Sequence, residues 1–532
     1  MDMKNTDITA LESENEKLKI EIAELINEIL GLRKLNEWYA EQFKLAQHFR
    51  FGASSEKAIL PEQLGLFNEA EVIADGNLPE SAQEETATYR RKKRIGKRKE
   101  TYENLPTEQR VYELPEEERV CPICGGGLHA CGHEVLRREI EVVPATIRAI
   151  EHVQTVYTCR GCGASDDRLN VPMVKAQVPA PVIPGSGIAS PSLVAFVLAN
   201  KYVLALPLSR QEQEFKRQDI NISRQTMANW CIYVASHWLM PIYRLLHAVL
   251  LSCGILHADE TQFQVINEPG RKASTNSYLW VYLTGMYEQY QVVLFEYSET
   301  RAGKNPQVFL SEFAGILNAD GYSGYYAFET NGVTLCGCWT HTRRKFVDVL
   351  KTLPKHIHIE SAASIGVGYC DQLFDLERKY DGQGLAPEER HEQRQKESKP
   401  IALSFFAWAN DLLPSLTDKG KMKEAVFYAL NQQSRLMNFL LDGRIEISNN
   451  RAERSIRPFA IGRNNWMFAY SPNGANASAV IYSIVETAKA NGLVPFKYFE
   501  FLFKTLPNIP VSQYADCLPW SPSVRQYCAA PT

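Results

Sequence analysis

Three features that this 532-residue chain lacks exclude several classes of protein. No run of about 18 consecutive apolar residues occurs, so the sequence predicts no membrane-spanning segment. The first 19 residues are polar and carry charges of both signs, which is not the pattern of a secretory signal peptide. Because such a signal is missing, we expect the twelve cysteines to be reduced in a cytoplasm, where paired cysteines bind metal more often than they form disulfides.

Positive charge is missing from one long stretch and concentrated in the next. Residues 59–89 contain seven acids and no Lys, Arg or His. A block of eight cations within ten residues follows: Arg90, Arg91, Lys92, Lys93, Arg94, Lys97, Arg98 and Lys99. Such a block repels itself and does not fold alone. It therefore predicts either a contact with DNA phosphates or a solvated linker, within a linker region that we assign to residues 46–115.

Leucine recurs every seven residues in the first part of the chain, at Leu11, Leu18, Leu25 and Leu32. Isoleucines lie between the later leucines, and Glu and Lys flank them. This heptad pattern predicts a parallel coiled coil over residues 1–45 that makes the protein a homodimer or a higher oligomer. An amphipathic helix packed against its own chain is the alternative.

Two C-x-x-C pairs predict a structural zinc site, with Cys121, Cys124, Cys159 and Cys162 as its four ligands. The residues between the pairs are rich in β-branched side chains, so we expect a zinc ribbon over residues 116–178. The nearby side chains of His129, Cys131 and His133 are second-choice ligands. Scattered reduced cysteines without a metal are the alternative.

Residues 186–251 are predicted to be helical. Within them, Ser223 is positioned to cap a helix that begins at Arg224, after a short turn from the preceding helix. This arrangement favours a helix-turn-helix in which Arg224 contacts DNA. A plain helical bundle is the alternative.

The next segment alternates between strands and helices. We predict strands at residues 255–266, 278–285, 291–297, 316–318 and 333–336, with a helix at 307–313. Three strands in a meander, then a helix and a strand, is the order expected of a ribonuclease-H-like α/β domain. We assign this domain to residues 252–485, with an all-α insertion at about 347–445 and a C-terminal segment at 486–532. The predicted fold is therefore multidomain α+β.

Asp259 and Asp320 each follow a short apolar run, which places each acid at or near the end of a buried strand. If the first and fourth strands pair, the two acids are neighbours. Carboxylate oxygens are the ligands that Mg²⁺ prefers, and two such ions can activate the attacking oxygen and stabilise the leaving oxygen of a phosphodiester. Glu260 is the nearest alternative to Asp259.

Glu453 is the third acid of the predicted site, on a helix that we expect Ser448 to cap and Pro458 to end or kink. Glu453 shares one face of this helix with Arg457, while Ala452 faces the core. Glu446 is the nearest alternative to Glu453.

Several motifs together resemble the insertion-sequence-66 (IS66) family of bacterial transposases. They are 51–57 (FGASSEK), 257–261 (HADET), 319–322 (ADGY), 338–346 (CWTHTRRKF), 449–454 (NNRAER) and 461–466 (IGRNNW), besides the two C-x-x-C pairs. They span nearly the whole chain in the family's order. Thr340 and Thr342 depart from the small residues expected there, but the three acids are unaffected.

The resemblance implies that Asp259, Asp320 and Glu453 form a DDE triad that holds two Mg²⁺ or Mn²⁺ ions. It also implies binding to the terminal inverted repeats of a mobile element, with cleavage and joining of double-stranded DNA in a bacterial cytoplasm, at the nucleoid. Whether companion proteins encoded by the element take part stays open. Two other functions also stay open: a catalytically silent DNA-binding regulator and a structure-specific junction nuclease.

Six cations near the triad are candidate phosphate contacts, although each could equally be a solvated surface charge. They are Arg343, Arg344, Lys345, Arg454, Arg457 and Arg463.

Overall fold

The structure is a computed structural model that describes residues 146–158, 173–353, 361–416 and 420–531. The predicted coiled coil, the basic block and the four predicted zinc ligands lie outside these ranges. Of the predicted zinc ribbon, the described part contains two short antiparallel strands, β1 (Val156–Thr158) and β2 (Met173–Lys175).

Four helices precede the main sheet, as the sequence predicts. They are α1 (Pro191–Tyr202), α2 (Leu208–Arg217), α3 (Arg224–Val234) and α4 (Met240–Leu251), with a π-helical turn, Ala235–Leu239, joining α3 to α4. The Ser223 hydroxyl accepts a hydrogen bond from the Thr226 N–H at 3.1 Å, which confirms the predicted cap of α3. Arg224 is exposed at the first residue of that helix.

Among the described residues, one helical stretch, Arg224–Leu251, is long and apolar enough to cross a membrane. By length and composition alone this is weak support for a membrane span. The buried side chains of Met227, Leu239 and Leu246 pack in the same hydrophobic core as the sheet, which is also how the core helix of a soluble protein behaves.

The main sheet has five strands in the order β5-β4-β3-β6-β7. Its strands are β3 (Ile255–Gln264), β4 (Asn276–Thr284), β5 (Val293–Ser298), β6 (Ile316–Asn318) and β7 (Thr334–Cys336). The first three pair antiparallel as a meander, and β6 and β7 run parallel to β3. All five predicted strands are present, with ends within two residues of the prediction.

The helix predicted at 307–313 is displaced toward the N-terminus: α5 spans Lys304–Phe309. Pro306 lies in the first turn of α5, where a backbone N–H has no partner within the helix, so the missing N–H of proline costs no hydrogen bond. The helix can therefore begin earlier than its apolar pattern suggests. Leu310 and Phe313 then turn into the core after the helix has ended.

A second hydrophobic cluster, separate from the core of the sheet, lies mainly within the predicted all-α insertion. Its helices are α6 (Trp339–Leu350), α7 (Ala362–Gln383), α8 (Pro387–Gln393), α9 (Lys399–Leu412), α10 (Lys421–Asn431) and α11 (Gln433–Met437). The fully buried Arg394 donates to Glu377 and to the carbonyl oxygens of Phe439 and Asp442. The insertion is therefore helical as predicted, and this arginine ties it to the segment that leads back to the sheet.

The chain returns to the sheet through α12 (Asn450–Trp466), α13 (Pro472–Ala490), α14 (Pro495–Thr505) and α15 (Pro522–Cys528). Helix α13 lies on β5, where the Ser483 hydroxyl accepts the Phe295 N–H at 2.7 Å and the Thr487 hydroxyl accepts the Val293 N–H at 3.0 Å. Residues from α1–α4, the sheet and α12–α15 all contribute to one core.

Candidate active site

The pairing of β3 with β6 positions the two aspartates. Leu256 lies beside Leu317 and His257 beside Asn318 in parallel register. Asp259 follows two residues later on β3, and Asp320 lies two residues beyond the end of β6. Because side chains alternate along a strand, Asp259 projects from the same face as His257. The sequence predicts that Asp259 and Asp320 are neighbours if the first and fourth strands pair. That pairing, between β3 and β6, is present.

Asp259 is not at a strand end, as the sequence suggested, but in the middle of β3. The strand continues to Gln264 because β4 pairs with it along its whole length, as far as Asn276. Only β6, the parallel partner, ends close to the acids, at Asn318. The short apolar run before Asp259 therefore marks the part of β3 paired on both sides.

Glu453 lies in the first turn of α12, but Ser448 does not cap this helix. The residue before the helix is Asn449, and its side chain makes no capping hydrogen bond. Instead, its amide donates to the Ala258 carbonyl oxygen at 2.8 Å, and its Oδ1 lies 3.1 Å from Nδ1 of His257. The cap prediction is wrong because the side chain beside the helix start bonds to β3.

Pro458 does not end α12, which continues to Trp466. The buried side chains of Ala452, Ile456 and Phe459, on both sides of the proline, pack in the core of the sheet. This packing holds the helix together although a proline inside a helix removes one backbone hydrogen bond. The expected inward position of Ala452 is confirmed, and Ile456 faces the core as well.

Glu446 is held in a buried polar cluster that we call the lock, formed by His257, Glu446 and Asn449. Nε2 of His257 lies 2.5 Å from Oε2 of Glu446, and Arg451 approaches the same oxygen at 3.7 Å. Burial would raise the pKa of Glu446, but His257 and Arg451 outweigh it and leave the pKa below its ordinary value. The lock fixes the start of α12 against β3.

The two aspartates have no such compensation. Neither Asp259 nor Asp320 pairs with a Lys, Arg or His in the part of the chain that the structure describes. Each accepts a backbone N–H, that of Glu260 for Asp259 and that of Tyr322 for Asp320, both at 2.9 Å. Burial first, and then the neighbouring carboxylates of Glu260 and Asp320, raise the pKa of Asp259 well above its usual range.

Glu453 contacts two side chains of α6. Arg344 donates to its Oε2 at 3.4 Å, and Nε2 of His341 lies 3.7 Å from its Oε1. That Oε1 is buried without a hydrogen-bond partner among the described residues. Burial, and then the charge of Arg344, lower the pKa of His341.

The three acids fit a divalent metal by their chemistry. All offer carboxylate oxygens. Among the described residues, two of them have no cation partner, and the third has a buried oxygen without a hydrogen bond. Among residues 146–158, 173–353, 361–416 and 420–531, however, no three His, Cys, Asp or Glu side chains stand at metal-ligating spacing. Holding one metal ion with all three acids therefore requires a rearrangement of their side chains.

Glu260 projects from the opposite face of β3 and is paired there. Arg301 donates to it through Nε at 2.7 Å, and the Tyr325 hydroxyl donates at 2.9 Å. Arg301 also lies over the ring of Tyr322, 4.1 Å from its centroid. Glu260 is therefore engaged in a side-chain network and is not free to replace Asp259.

The predicted phosphate contacts have different surroundings. Arg343 pairs with Asp371 at 2.6 Å, and Lys345 lies over the ring of Tyr428. Arg463 donates to the backbone carbonyl oxygen of Gln262. By contrast, Arg454 and Arg457 are exposed on α12. The basic block at 90–99 lies outside the described residues.

Sequence reasoning missed three residues close to the acids: His257, Arg301 and His341. His257 had a signal, since it lies two residues before Asp259 and so shares its face of the strand. His341 also had a signal, since it lies within the 338–346 motif. Arg301 had none, because only the packing of its loop brings it to the acids.

Comparison with known protein families agrees with the resemblance. The family described as "Transposase IS66 family" matches residues 186–477, more than half of the chain. The chain belongs to the IS66 transposase family. Three further models match: "zinc-finger binding domain of transposase IS66" at residues 118–163, "IS66 C-terminal element" at 483–520 and "Transposase C of IS166 homeodomain" at 38–110.

Relatives of similar length occur in Sinorhizobium fredii (strain NGR234), all named only as uncharacterized proteins. The protein y4hP is 30% identical over 501 residues, which cover 90% of this chain and 87% of the relative. The protein y4jD is 30% identical over 77% of this chain and 79% of its own length. The protein y4qI is 31% identical over 78% of this chain and 76% of its own length. Membership of the IS66 family implies transposition and DNA binding.

Proposed function

We propose that this protein is a DDE transposase that binds the terminal inverted repeats of its mobile element and catalyses metal-dependent strand cleavage and strand transfer. Asp259, Asp320 and Glu453 are its three acids. The observation that carries this proposal is a pair of aspartates, Asp259 on β3 and Asp320 just after the parallel β6, with no cation partner among the described residues and with the helix of Glu453 packed on the same sheet. An enclosed acid such as Asp259 is costly without a cation unless it binds something positive.

The catalytic domain is, in this proposal, ribonuclease-H-like. The support is its strand order: a three-stranded antiparallel meander whose first strand, β3, pairs on its other side with a parallel β6, and then β7. In such a sheet the acids of the first and fourth strands are adjacent, and a later helix contributes the third.

Two Mg²⁺ or Mn²⁺ ions, held by Asp259, Asp320 and Glu453, would supply charge stabilisation for the attacking and leaving oxygens of the phosphodiester. The chain's own residues do the rest. Arg344 and His341, which contact Glu453 here, become available to the DNA phosphate once Glu453 turns to the aspartates. Arg301, which pairs with Glu260 on the other face of β3, lies over the ring of Tyr322, and its guanidinium can contact a phosphate outside the metal site.

The direct test is cleavage of a supercoiled plasmid that carries the inverted repeats flanking this reading frame. With Mg²⁺ we expect nicks at the repeat ends and joining to target DNA, and neither product with EDTA. Binding without any cleavage would identify a regulator. Cleavage of branched DNA in preference to the repeats would identify a junction nuclease.

The zinc site is a separate part of the proposal. The family model of the IS66 zinc finger covers residues 118–163, which include all four predicted ligands. We propose one structural zinc per chain, bound by Cys121, Cys124, Cys159 and Cys162. Replacing Cys159 and Cys162 together by Ser should abolish zinc binding by elemental analysis, and full retention of zinc would exclude these ligands.

DNA affinity and assembly complete the proposal. The block at 90–99 contributes sequence-independent affinity, so its neutralisation should reduce the slope of log affinity against log salt concentration. The heptads of residues 1–45 make a parallel dimer, so removing them should lower the mass measured by light scattering. An unchanged slope, or an unchanged mass, would refute the corresponding part. Arg224 at the start of α3 serves as a further DNA contact.

A further inference from the structure

Three large apolar side chains are exposed within four residues directly after α12. Met467, Phe468 and Tyr470 are 67%, 41% and 69% exposed, whereas Ala469 between them is buried. Single exposed apolar residues are normal on a protein surface, but a cluster of this kind marks an interaction site more often than chance. We call Met467, Phe468 and Tyr470 the shelf.

The backbone of the shelf is strained. Met467 has φ 64° and ψ −47°, and the Phe468 N–H donates to the Trp466 carbonyl oxygen at 2.8 Å. These are the features of a γ-turn with positive φ, which is rare because it is costly for a residue with a side chain. Such a turn persists only where the surrounding structure enforces it, and strained residues of this kind are concentrated at functional sites.

Hydrogen bonds to the end of β3 enforce this conformation. The Ala469 N–H donates to the Gln264 carbonyl oxygen at 3.0 Å, and the Ile266 N–H donates to the Ala469 carbonyl oxygen at 3.0 Å. The Asn267 N–H donates to the Tyr470 carbonyl oxygen at 2.9 Å. Hydrogen bonds therefore hold the shelf against the end of β3, the strand that carries Asp259, so the exposed rings do not lie on a free loop.

The charge next to the shelf favours a polyanion. Helix α12 carries four arginines against one glutamate. Two of them, Arg454 and Arg457, are exposed and pair with no carboxylate in the part of the chain that the structure describes. A second copy of this positive surface would be repelled, whereas a nucleic acid would be attracted.

The shelf lies at a defined distance from the acids. Glu453 and Met467 are separated by fourteen helical positions, or about 21 Å along α12 at 1.5 Å per residue. This length corresponds to about six nucleotides at the 3.4 Å rise of duplex DNA, and to fewer where the strand is unpaired and extended. A strand held at the acids and running along the arginines of α12 therefore reaches the shelf.

We propose that the shelf stacks unpaired bases of a single-stranded DNA tail, at most about six nucleotides from the active site. Phe468 and Tyr470 offer ring faces that any base can stack on, while the bases of a duplex are already stacked on each other. This site extends the proposed function, because it would bind the single-stranded DNA end that becomes exposed when the two strands separate. It rests on DNA being the substrate, but not on cleavage.

The test is equilibrium binding in EDTA, so that no cleavage takes place. The probes are a blunt duplex of arbitrary sequence and the same duplex with a single-stranded tail that carries 2-aminopurine, whose fluorescence reports stacking. The full-length protein should bind the tailed probe more tightly and quench its fluorescence. Replacing Phe468 and Tyr470 together by Ala should weaken binding of the tailed probe about 5- to 150-fold for each stacked base that is lost, with blunt-duplex affinity unchanged.

Two controls make the result specific. Tyr470→Phe keeps the ring and should keep the affinity for the tail. Phe427→Ala removes a ring that is 54% exposed on α10 of the insertion, away from the shelf, and should have no effect. Equal losses for both probes, or no loss for the double variant, would overturn the proposal. A double variant that binds the tail normally but loses self-association in sedimentation would show that the shelf contacts a second copy instead. Because cleavage is not measured, failure here is distinct from failure of the proposed transposase activity.

Discussion

Asp259 and Glu260 are consecutive acids on β3, yet they project from opposite faces of the sheet and have different surroundings. Glu260 receives hydrogen bonds from Arg301 and Tyr325. Asp259, on the other face, receives one backbone N–H and faces other carboxylates. Burial and Asp320 raise the pKa of Glu260 too, but Arg301 and Tyr325 oppose them.

The comparison teaches that burial of an acid does not by itself mark a site. The Glu260 side chain is only 3% exposed, but its partners make it part of the fold. Asp259 is largely enclosed and has no cation partner among the described residues, which costs folding free energy that a bound cation would return. The asymmetry between two neighbouring residues therefore distinguishes the candidate site from the structural network.

The largest expected effect is a loss of cleavage when the negative charge of Glu453 is removed. Glu453→Gln keeps the shape of the side chain, so folding and DNA binding should survive. Mg²⁺-dependent cleavage should fall roughly 1000-fold or more, since metal-site electrostatics supply several kcal/mol of transition-state stabilisation. Plasmid cleavage measures this. Near-normal cleavage by Glu453→Gln beside an inactive Glu446→Gln would assign the third acid to Glu446.

The second prediction concerns the lock, which sets α12 against β3. His257→Gln and Glu446→Gln remove the same contact, so each should raise the Mg²⁺ concentration for half-maximal cleavage about 10- to 100-fold. Hydrogen exchange at the start of α12 should rise in both variants. The matched control is Thr487→Val, which removes a fully buried hydroxyl that bonds to Val293 on the far part of the sheet.

The control should accelerate exchange in α13 and leave the Mg²⁺ requirement unchanged. If Glu446→Gln is far more damaging than His257→Gln, Glu446 acts as a ligand and the lock is not its main role.

Removing the charge of Glu260, which pairs with Arg301, should change the stability of the protein more than its cleavage activity. Glu260→Gln leaves Arg301 without its carboxylate. We expect a loss of about 1 kcal/mol in the free energy of unfolding, kept small because the Arg301 side chain is 44% exposed and screened by water. Cleavage should fall by less than about tenfold if Arg301 only assists with an outer phosphate. A loss of cleavage as large as that of Glu453→Gln would mean that both faces belong to the site.

The smallest predicted effect is a gain in the stability of the metal-free protein, where the preceding variant is expected to lose stability. The pKa of Asp259 is raised in the folded protein, so the folded state holds its proton more tightly than the unfolded state does. Stability is therefore lost as the pH rises from the ordinary value of 3.8 through the folded pKa, and the cost is constant above it. Asp259→Asn should remove this cost and stabilise the metal-free protein at pH 7 by roughly 0.5–2 kcal/mol.

Thermal unfolding in EDTA at several pH values measures this effect, and the advantage of Asp259→Asn should vanish in strongly acidic buffer. Added Mg²⁺ should stabilise the unmodified protein and not the variant. A variant that is less stable at pH 7 would show that Asp259 is compensated after all.

Local patterns in the sequence determined much of this protein. Apolar runs and turn signals predicted the five strands, and Ser223 predicted the start of α3, because those features depend on residues close in the chain. The order of the strands followed, and with it the adjacency of the strands that carry Asp259 and Asp320. The motifs also predicted the family, which the comparison confirms.

Tertiary structure alone decided the rest, because the deciding contacts join residues far apart in the sequence. Asn449 does not cap α12 because its side chain bonds to β3, 192 residues away at His257. Pro458 does not end that helix because buried neighbours hold it in the core. Arg301 compensates Glu260, and no cation among the described residues pairs with Asp259, because folding brings the arginine's loop to one face of β3 and α12 to the other. No local pattern encodes which face a distant cation reaches.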